Sequence, residues 1–514
     1  MKCERDIHLT VVFILVFSLG MVPPLMGGGP LHIFPGPGDV LKWDARLPVN
    51  FTIDQGPLGT RFDSPAEAAQ FVRDAAQAWT DIPSATISFR DNGFLPMDIT
   101  VANYQSYFGF GQPNEFERPE NPIIFDSDGE ITDDLLGSGS SNFVLGFAGI
   151  RFFDFDAAEN QTWAKSAWAV LNGRLARADA SFRHVFTHEL GHLLGLDHSQ
   201  GLPENFEQKM GACPGGAPCG FLVPLMHPIR PTRAPDGPIE DDVAWLSWMY
   251  PESDFFETTG SISGRVLRRS GGPFQGANVV AVSAIPNGDG TYSESRAGII
   301  SVVSDFLIRE TGEFLLPGLE SGDYFVFAEP INSSFTGGSG VGPFEFRPTN
   351  FPRDYYDANE SVDEDPTERM LVHVEVGQTA MGVEIIANEP ANQLGLLSDD
   401  DEMLFQFSTI SEGFRFPFFG KVYEEVFVNS DGNLTFGIGD GKVGSDRDEI
   451  RFLTGPPRIA PLFTDMDPSA SGEIRATKGD GWIKFTWDGV PEFSDSGIAA
   501  ANEFSVTLHS DGDI

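Results

Sequence analysis

Cysteine is nearly absent, with 3 residues in 514, and Cys3 precedes an apolar leader. Such scarcity excludes a small core stapled by many disulfides, and with no second pair anywhere it disfavours a cysteine zinc site. Cys213 and Cys219, in the Gly/Pro loop "ACPGGAPCG", are expected to form a small disulfide. Basic residues are also scarce: 33 Lys and Arg stand against 75 Asp and Glu, a formal charge of −42. A surface of that sign repels phosphate, so nucleic acid is excluded as a partner. The excess acid either keeps an exported protein soluble or, in turn contexts, takes up calcium. Beyond the amino terminus no run is apolar and long enough to cross a membrane, and no internal repeat of fixed period is evident.

What is present points to several domains, since 514 residues exceed a single core. The 57 Gly, 37 Pro and 45 Phe favour strands, turns and aromatic-filled sheets. Residues 1–20 read as a signal peptide. Lys2 and Arg5 precede "LTVVFILVFSLGMV", Ser18 and Gly20 fit cleavage after Gly20, and Pro23 and Pro24 follow. Glu4 and Asp6 weaken the basic flank, and a retained anchor is the alternative. Residues 21–38 are Pro/Gly-rich and read as a linker. Next, "LPVNFTID", "ATISFR" and "MDITVANY" read as strands, and "WAKSAWAVLNG" as another. "SPAEAAQFVRDAAQAWTDI" reads as a helix with Ser64 as N-cap, Pro65 at the first helical position and Glu67 three residues after the cap. "IEDDVAWLSWMYP" reads as a helix with acids in its first turn. Composition shifts near Pro251 to short strands separated by glycine turns, the pattern of a β-sandwich.

The stretch "FTHELGHLLGLDHS" holds three of the chain's 9 histidines. Helical i, i+4 spacing lets His188 and His192 point at one ion, with Glu189 projecting beside them. Phe182, Phe186, Leu190, Leu193 and Leu194 form the opposite, core-facing stripe. Gly195 stands where a left-handed turn ends a helix and swings His198 up as a third ligand. Three imidazoles round zinc leave one position for water, and Glu189 is placed to take that water's proton. Chance on a buried helix is the competing reading of HExxH alone, and the extension to HExxHxxGxxH argues against it. His184 lies one turn before His188 and is read as satisfied or solvent-facing; His227 is read as a loop histidine near the site. Asp126, Asp128 and Asp133, in "IIFDSDGEITDDLLG", form either a partial calcium loop or an acidic surface turn.

"HELGHLLGLDHS" resembles the zinc signature of metzincin metalloproteases, and among them the matrixin family. The resemblance runs from about Asp39 to Pro251. It implies an α+β catalytic domain over 39–252, a twisted mixed sheet with an active-site helix, in a multidomain chain. It also implies that Met226, in "PLMHP", forms an apolar base beneath the imidazoles, and that Asp241 and Asp242 match the family's acidic pair in the closing helix. No cysteine follows the leader before the catalytic block, so a thiol-to-zinc latency switch has no candidate. Only His32 lies between the leader and His184, so no second zinc is expected. Residues 259–390, through "GSISGRV", "GANVVAV" and "GEFLLPGLESGDY", resemble carboxypeptidase-regulatory-like or Cna-B-like β-sandwich modules. Residues 399–514, through "FPFFGKVYEEVFVNSDGNLTF" and "IAPLFTDMD", resemble a β-rich nidogen-like domain that stops in mid-pattern. The expected function is a secreted or cell-surface zinc endopeptidase acting on protein or peptide substrates, its accessory blocks holding matrix or surface ligands. The alternative is an adhesin with an inactive protease-like module. A substrate pocket is expected near Pro228–Gly237.

Overall fold

A computed structural model describes residues 29–34, 40–108, 121–201, 223–229, 237–269, 271–309, 311–331, 351–360, 368–388, 393–394, 402–411, 413–440, 449–468, 472–479, 481–493 and 501–514. The expected signal peptide, Cys213, Cys219 and most of the expected pocket loop 228–237 lie outside these residues. Among the described residues no helix is long and apolar enough to cross a membrane.

The first unit opens with β1 (Val49–Ile53) and α1 (Pro65–Thr80). Ser64 caps α1 by accepting the Glu67 N–H at 3.2 Å, and Pro65 needs no partner at the first position. Ala68, Ala69, Val72, Ala75, Ala76 and Trp79, three or four residues apart, form its buried stripe. There follow β2 (Phe89–Phe94), α2 (Gln105–Phe108), β3 (Pro122–Asp126), α3 (Glu130–Leu136), β4 (Gly146–Asp156), β5 (Gln161–Asn172), α4 (Ala180–Leu193), α5 (Glu240–Met249) and α6 (Phe255–Thr258). The sheet order is β2-β1-β3-β5-β4, with β4 antiparallel at one edge and the other pairs parallel. The mixed sheet and its helix pair match the expected α+β arrangement. "MDITVANY" is not a strand. β1 is paired on both sides by β2 and β3, so no position beside it remains, and Asn103 instead turns the chain by accepting the Thr100 N–H at 2.8 Å.

Residues 29–34 depart from a free linker. Leu31 and Ile33 are buried, Pro30 bridges to Leu196, and Leu31 donates its N–H to the Gly195 carbonyl at 2.7 Å. The two apolar side chains between glycines and prolines are what dock the segment.

The middle block contains β6 (Gly260–Leu267), β7 (Ala277–Pro286), β8 (Tyr292–Val303), β9 (Glu313–Leu319), β10 (Gly322–Pro330), β11 (Asp354–Tyr355), β12 (Val372–Val374) and β13 (Thr379–Ile386). One sheet runs β11-β10-β7-β8, with β12 also on β10; the other runs β13-β6-β9. Their inward residues, such as Val279, Ile300 and Val326 against Ile262, Leu316 and Ile385, share one core, which continues into the first unit through Trp245 and Phe306. The third block is all strand apart from short helical turns. Gln393–Leu394 and the strands from Glu473 to His509 make one four-stranded antiparallel sheet, and Glu402–Gln406, Glu425–Asn429, Asn433–Thr435 and Arg458–Ile459 make a second. Phe416–Phe418 and Lys421–Tyr423 pair separately, and the block has its own core round Phe407, Phe485 and Trp487.

Candidate metal centre

Helix α4 is capped by Asp179, which accepts the Phe182 N–H at 3.1 Å. At its other end Gly195 takes φ +89°, a conformation that glycine adopts freely. The last carbonyls find donors: Trp43 Nε1 reaches Leu193 O at 2.7 Å, and Tyr250 Oη reaches Leu194 O at 2.6 Å. Helix and turn together bring His188, His192 and His198 within 4.8 Å of one another, all buried. This is the one such group of three metal-ligating side chains among the described residues.

The hydrogen bonds fix which nitrogens meet. His188 Nδ1 lies 2.8 Å from Leu225 O, and His192 Nδ1 lies 2.8 Å from Leu196 O. A carbonyl only accepts, so both Nδ1 atoms carry protons and both Nε2 atoms present bare lone pairs. His192 Nε2 stands 3.1 Å from His188 Nε2 and 3.1 Å from His198 Nε2. Lone pairs so close repel unless a cation sits among them. Tetrahedral zinc, with Zn–N of about 2.0–2.1 Å, places its nitrogens about 3.3 Å apart. The residues fit the ion. Burial also pushes His188 down to about 4 and His192 down to about 3, keeping both in the neutral, ligating form at pH 7.

Glu189 is buried beside the triad, and burial pushes its carboxyl up to about 8. Its Oε2 has no hydrogen-bond partner among the described residues. Gly146, at the start of edge strand β4, leaves room for it; a Cβ there would lie 2.9 Å from Oε1.

Met226 packs against helix α4 at Gly191. A Cβ at Gly191 would lie 2.4 Å from Met226 Sδ and 2.9 Å from the Trp79 ring, so the helix requires glycine at that point. Gly191→Ala should therefore cost about 1–3 kcal/mol by overpacking, although alanine is the better helix former. Thermal denaturation checks this, and a stabilised variant would contradict it. Asp242 accepts from Leu225 N at 2.8 Å, Met226 N at 2.9 Å and Ile239 N at 2.9 Å, and so holds the turn above which His188 is anchored. His184 is buried, not solvent-facing, its ring stacked 6.3 Å from that of His188. His227 is buried with Nδ1 2.7 Å from Ile229 O.

The aspartates read as a calcium loop are engaged separately. Asp126 accepts from Ile131 N at 3.1 Å and from Thr132 N at 2.8 Å, as a cap for α3. Asp128 accepts from Glu130 N at 3.1 Å and Asp133 from Ser141 N at 2.7 Å. Sequence reasoning missed Gly146, Gly191, Trp43 and Tyr250. The glycine in "HELGH" was the available signal for Gly191.

Residues 42–203 match the Matrixin family model, and residues 384–509 match the NIDO-related model. Met226 and the Asp241–Asp242 pair lie beyond the first match. No curated protein matches the chain. Among solved structures, the chain is similar to the Bacillus anthracis TIE protein at 12% identity, over 49% of this chain and 31% of that one, TM-score 0.17. It is similar to a streptococcal ancillary pilin at 13% identity, over 48% of this chain and 59% of that one, TM-score 0.15. The major pilin SpaD from Corynebacterium diphtheriae is 9% identical, over 49% of this chain and 56% of that one, TM-score 0.16. Less than two thirds of each of these proteins is spanned, and scores this low carry no conclusion about fold. The matrixin match and the histidine triad together point to a zinc metallopeptidase.

Proposed function

We propose that this chain is an exported zinc-dependent endopeptidase that hydrolyses peptide bonds in protein substrates, with Glu189 as the proton carrier. The observation that carries the reading is the convergence of three Nε2 atoms beside a buried carboxylate oxygen with no partner among the described residues. Zinc held by His188, His192 and His198 would supply Lewis acidity toward a carbonyl and acidify a water. The chain's own groups do the rest. Leu225 O and Leu196 O hold two imidazoles in the ligating tautomer. Glu189, its proton affinity raised by burial, would take a proton and return it to the leaving amine. Strand β4, at the sheet edge, offers its outer backbone to an extended peptide, and Gly146 would carry that peptide past Glu189.

Export through the leader, a β-sandwich fold for the middle block, and matrix or surface capture by the middle and last blocks belong to the same reading. Incubating the purified chain with a proteome-derived peptide library, with and without chelator, tests it. New peptide ends should form only without chelator. Absence of cleavage by zinc-loaded protein would leave the adhesin reading in its place.

A further inference from the structure

We propose that the middle β-rich block is a working part of the metal centre: Ser301 and Asn278 are positioning residues for the loop Gly195–Gly201, which carries His198. This rests on the zinc reading above. His188 and His192 are fixed by their helix, but His198 hangs on a loop beyond Gly195, so its aim depends on what grips that loop.

Contacts from outside the matrixin match do so. β8 is the edge strand of its sheet, where backbone groups need partners from elsewhere. At Ser301 every polar atom is taken by the first unit. Its N–H donates to Asp241 Oδ1 at 2.6 Å, its carbonyl accepts from Trp245 Nε1 at 2.8 Å, and its Oγ lies 3.0 Å from Ser199 Oγ. Ser199, next to His198, donates its hydroxyl to Asp241 as well. Asp241 thus ties the residue after the third ligand to a strand of the next block. Two residues further on, Gly201 O accepts from Asn278 Nδ2 of β7 at 3.2 Å.

The interface behind these bonds is close-packed. Trp245 and Trp248 meet Phe306 at ring separations of 5.5 and 6.2 Å, and a Cβ on Gly318 would lie 2.9 Å from Ala244 Cβ. From the other side, Asp197 donates its N–H to Gly29 O at 3.0 Å. The loop is held between a segment that precedes the catalytic fold and a block that follows it.

The test uses the full chain loaded with cobalt(II) or zinc, reading affinity by chelator competition and geometry from the cobalt visible bands. Ser301→Ala, which keeps the backbone contacts, combined with Asn278→Ala should weaken metal binding by roughly 10–100-fold and shift the cobalt bands. Binding within twofold of the parent, with an unchanged cobalt spectrum, would overturn the inference. Should the double variant not fold, hydrogen exchange in the parent decides. Linkage is reciprocal, so adding zinc should slow exchange of peptides spanning Ser301 about tenfold or more. No change there overturns the inference equally. A parent chain that binds no metal sinks the zinc reading itself, an outcome distinct from tight binding that ignores Ser301.

Discussion

Replacing Glu189 with glutamine should lower turnover of an unfolded protein substrate by about 10²–10⁴-fold while the metal content stays unchanged. Glutamine keeps the shape that packs against Gly146, so the substitution removes proton transfer and little else. The loss corresponds to about 3–5 kcal/mol of transition-state stabilisation. Two facts make this effect large. Glu189 is buried beside the triad, and that burial raises its proton affinity above that of a free glutamate, the direction a proton acceptor needs. Its Oε2 also has no partner among the described residues, so no structural hydrogen bond is lost in the exchange. Metal analysis beside initial rates checks the prediction. Turnover within threefold of the parent would take Glu189 out of the chemistry.

The metal centre was legible because its geometry is written locally. Helical period places His188 and His192, and the left-handed requirement at Gly195 places His198, all within eleven residues of chain. Helix α1 was legible for the same reason, its cap and first-turn proline lying next to the stripe they start. What sequence alone missed depends on partners far along the chain. Ser301 meets Asp241 across 60 positions, and Asn278 meets Gly201 across 77. Nothing local to either pair records the other. The composition shift near Pro251 marks a change of architecture but not a break in packing, since Trp245 and Phe306 lie in one core. "MDITVANY" alternates like a strand, yet pairing decides strands, and β1 had its neighbours already. Asp126 shows the limit of local reading, since acids near a glycine turn serve cations and helix caps alike; the structure adds that its buried carboxylate accepts from Ile131 and Thr132 at the start of α3.

Asp242→Ala should be the most damaging substitution outside the ligands and Glu189, lowering stability by roughly 3–5 kcal/mol. The carboxylate is buried and accepts three backbone N–H groups, from Leu225, Met226 and Ile239. Alanine would leave all three donors buried without a partner, at about 1–3 kcal/mol each before relaxation. Burial pushes this carboxyl up to about 6 and the three backbone bonds pull the other way, so the ionised form is kept for what it holds. What it holds is the turn that carries Met226 and two anchors of the site. Leu225 O orients the His188 ring, and Met226 O accepts the Ser199 N–H at 2.9 Å beside His198. Metal affinity should therefore fall with stability, by at least about tenfold, whereas a purely architectural loss would leave the affinity of the folded fraction intact. Asn at the same position keeps one acceptor oxygen and should sit between the parent and alanine in both measurements. Calorimetric unfolding and chelator competition on the three proteins decide the matter. An unchanged transition for Asp242→Ala would mean that Met226, seated against Gly191, holds the turn by packing alone.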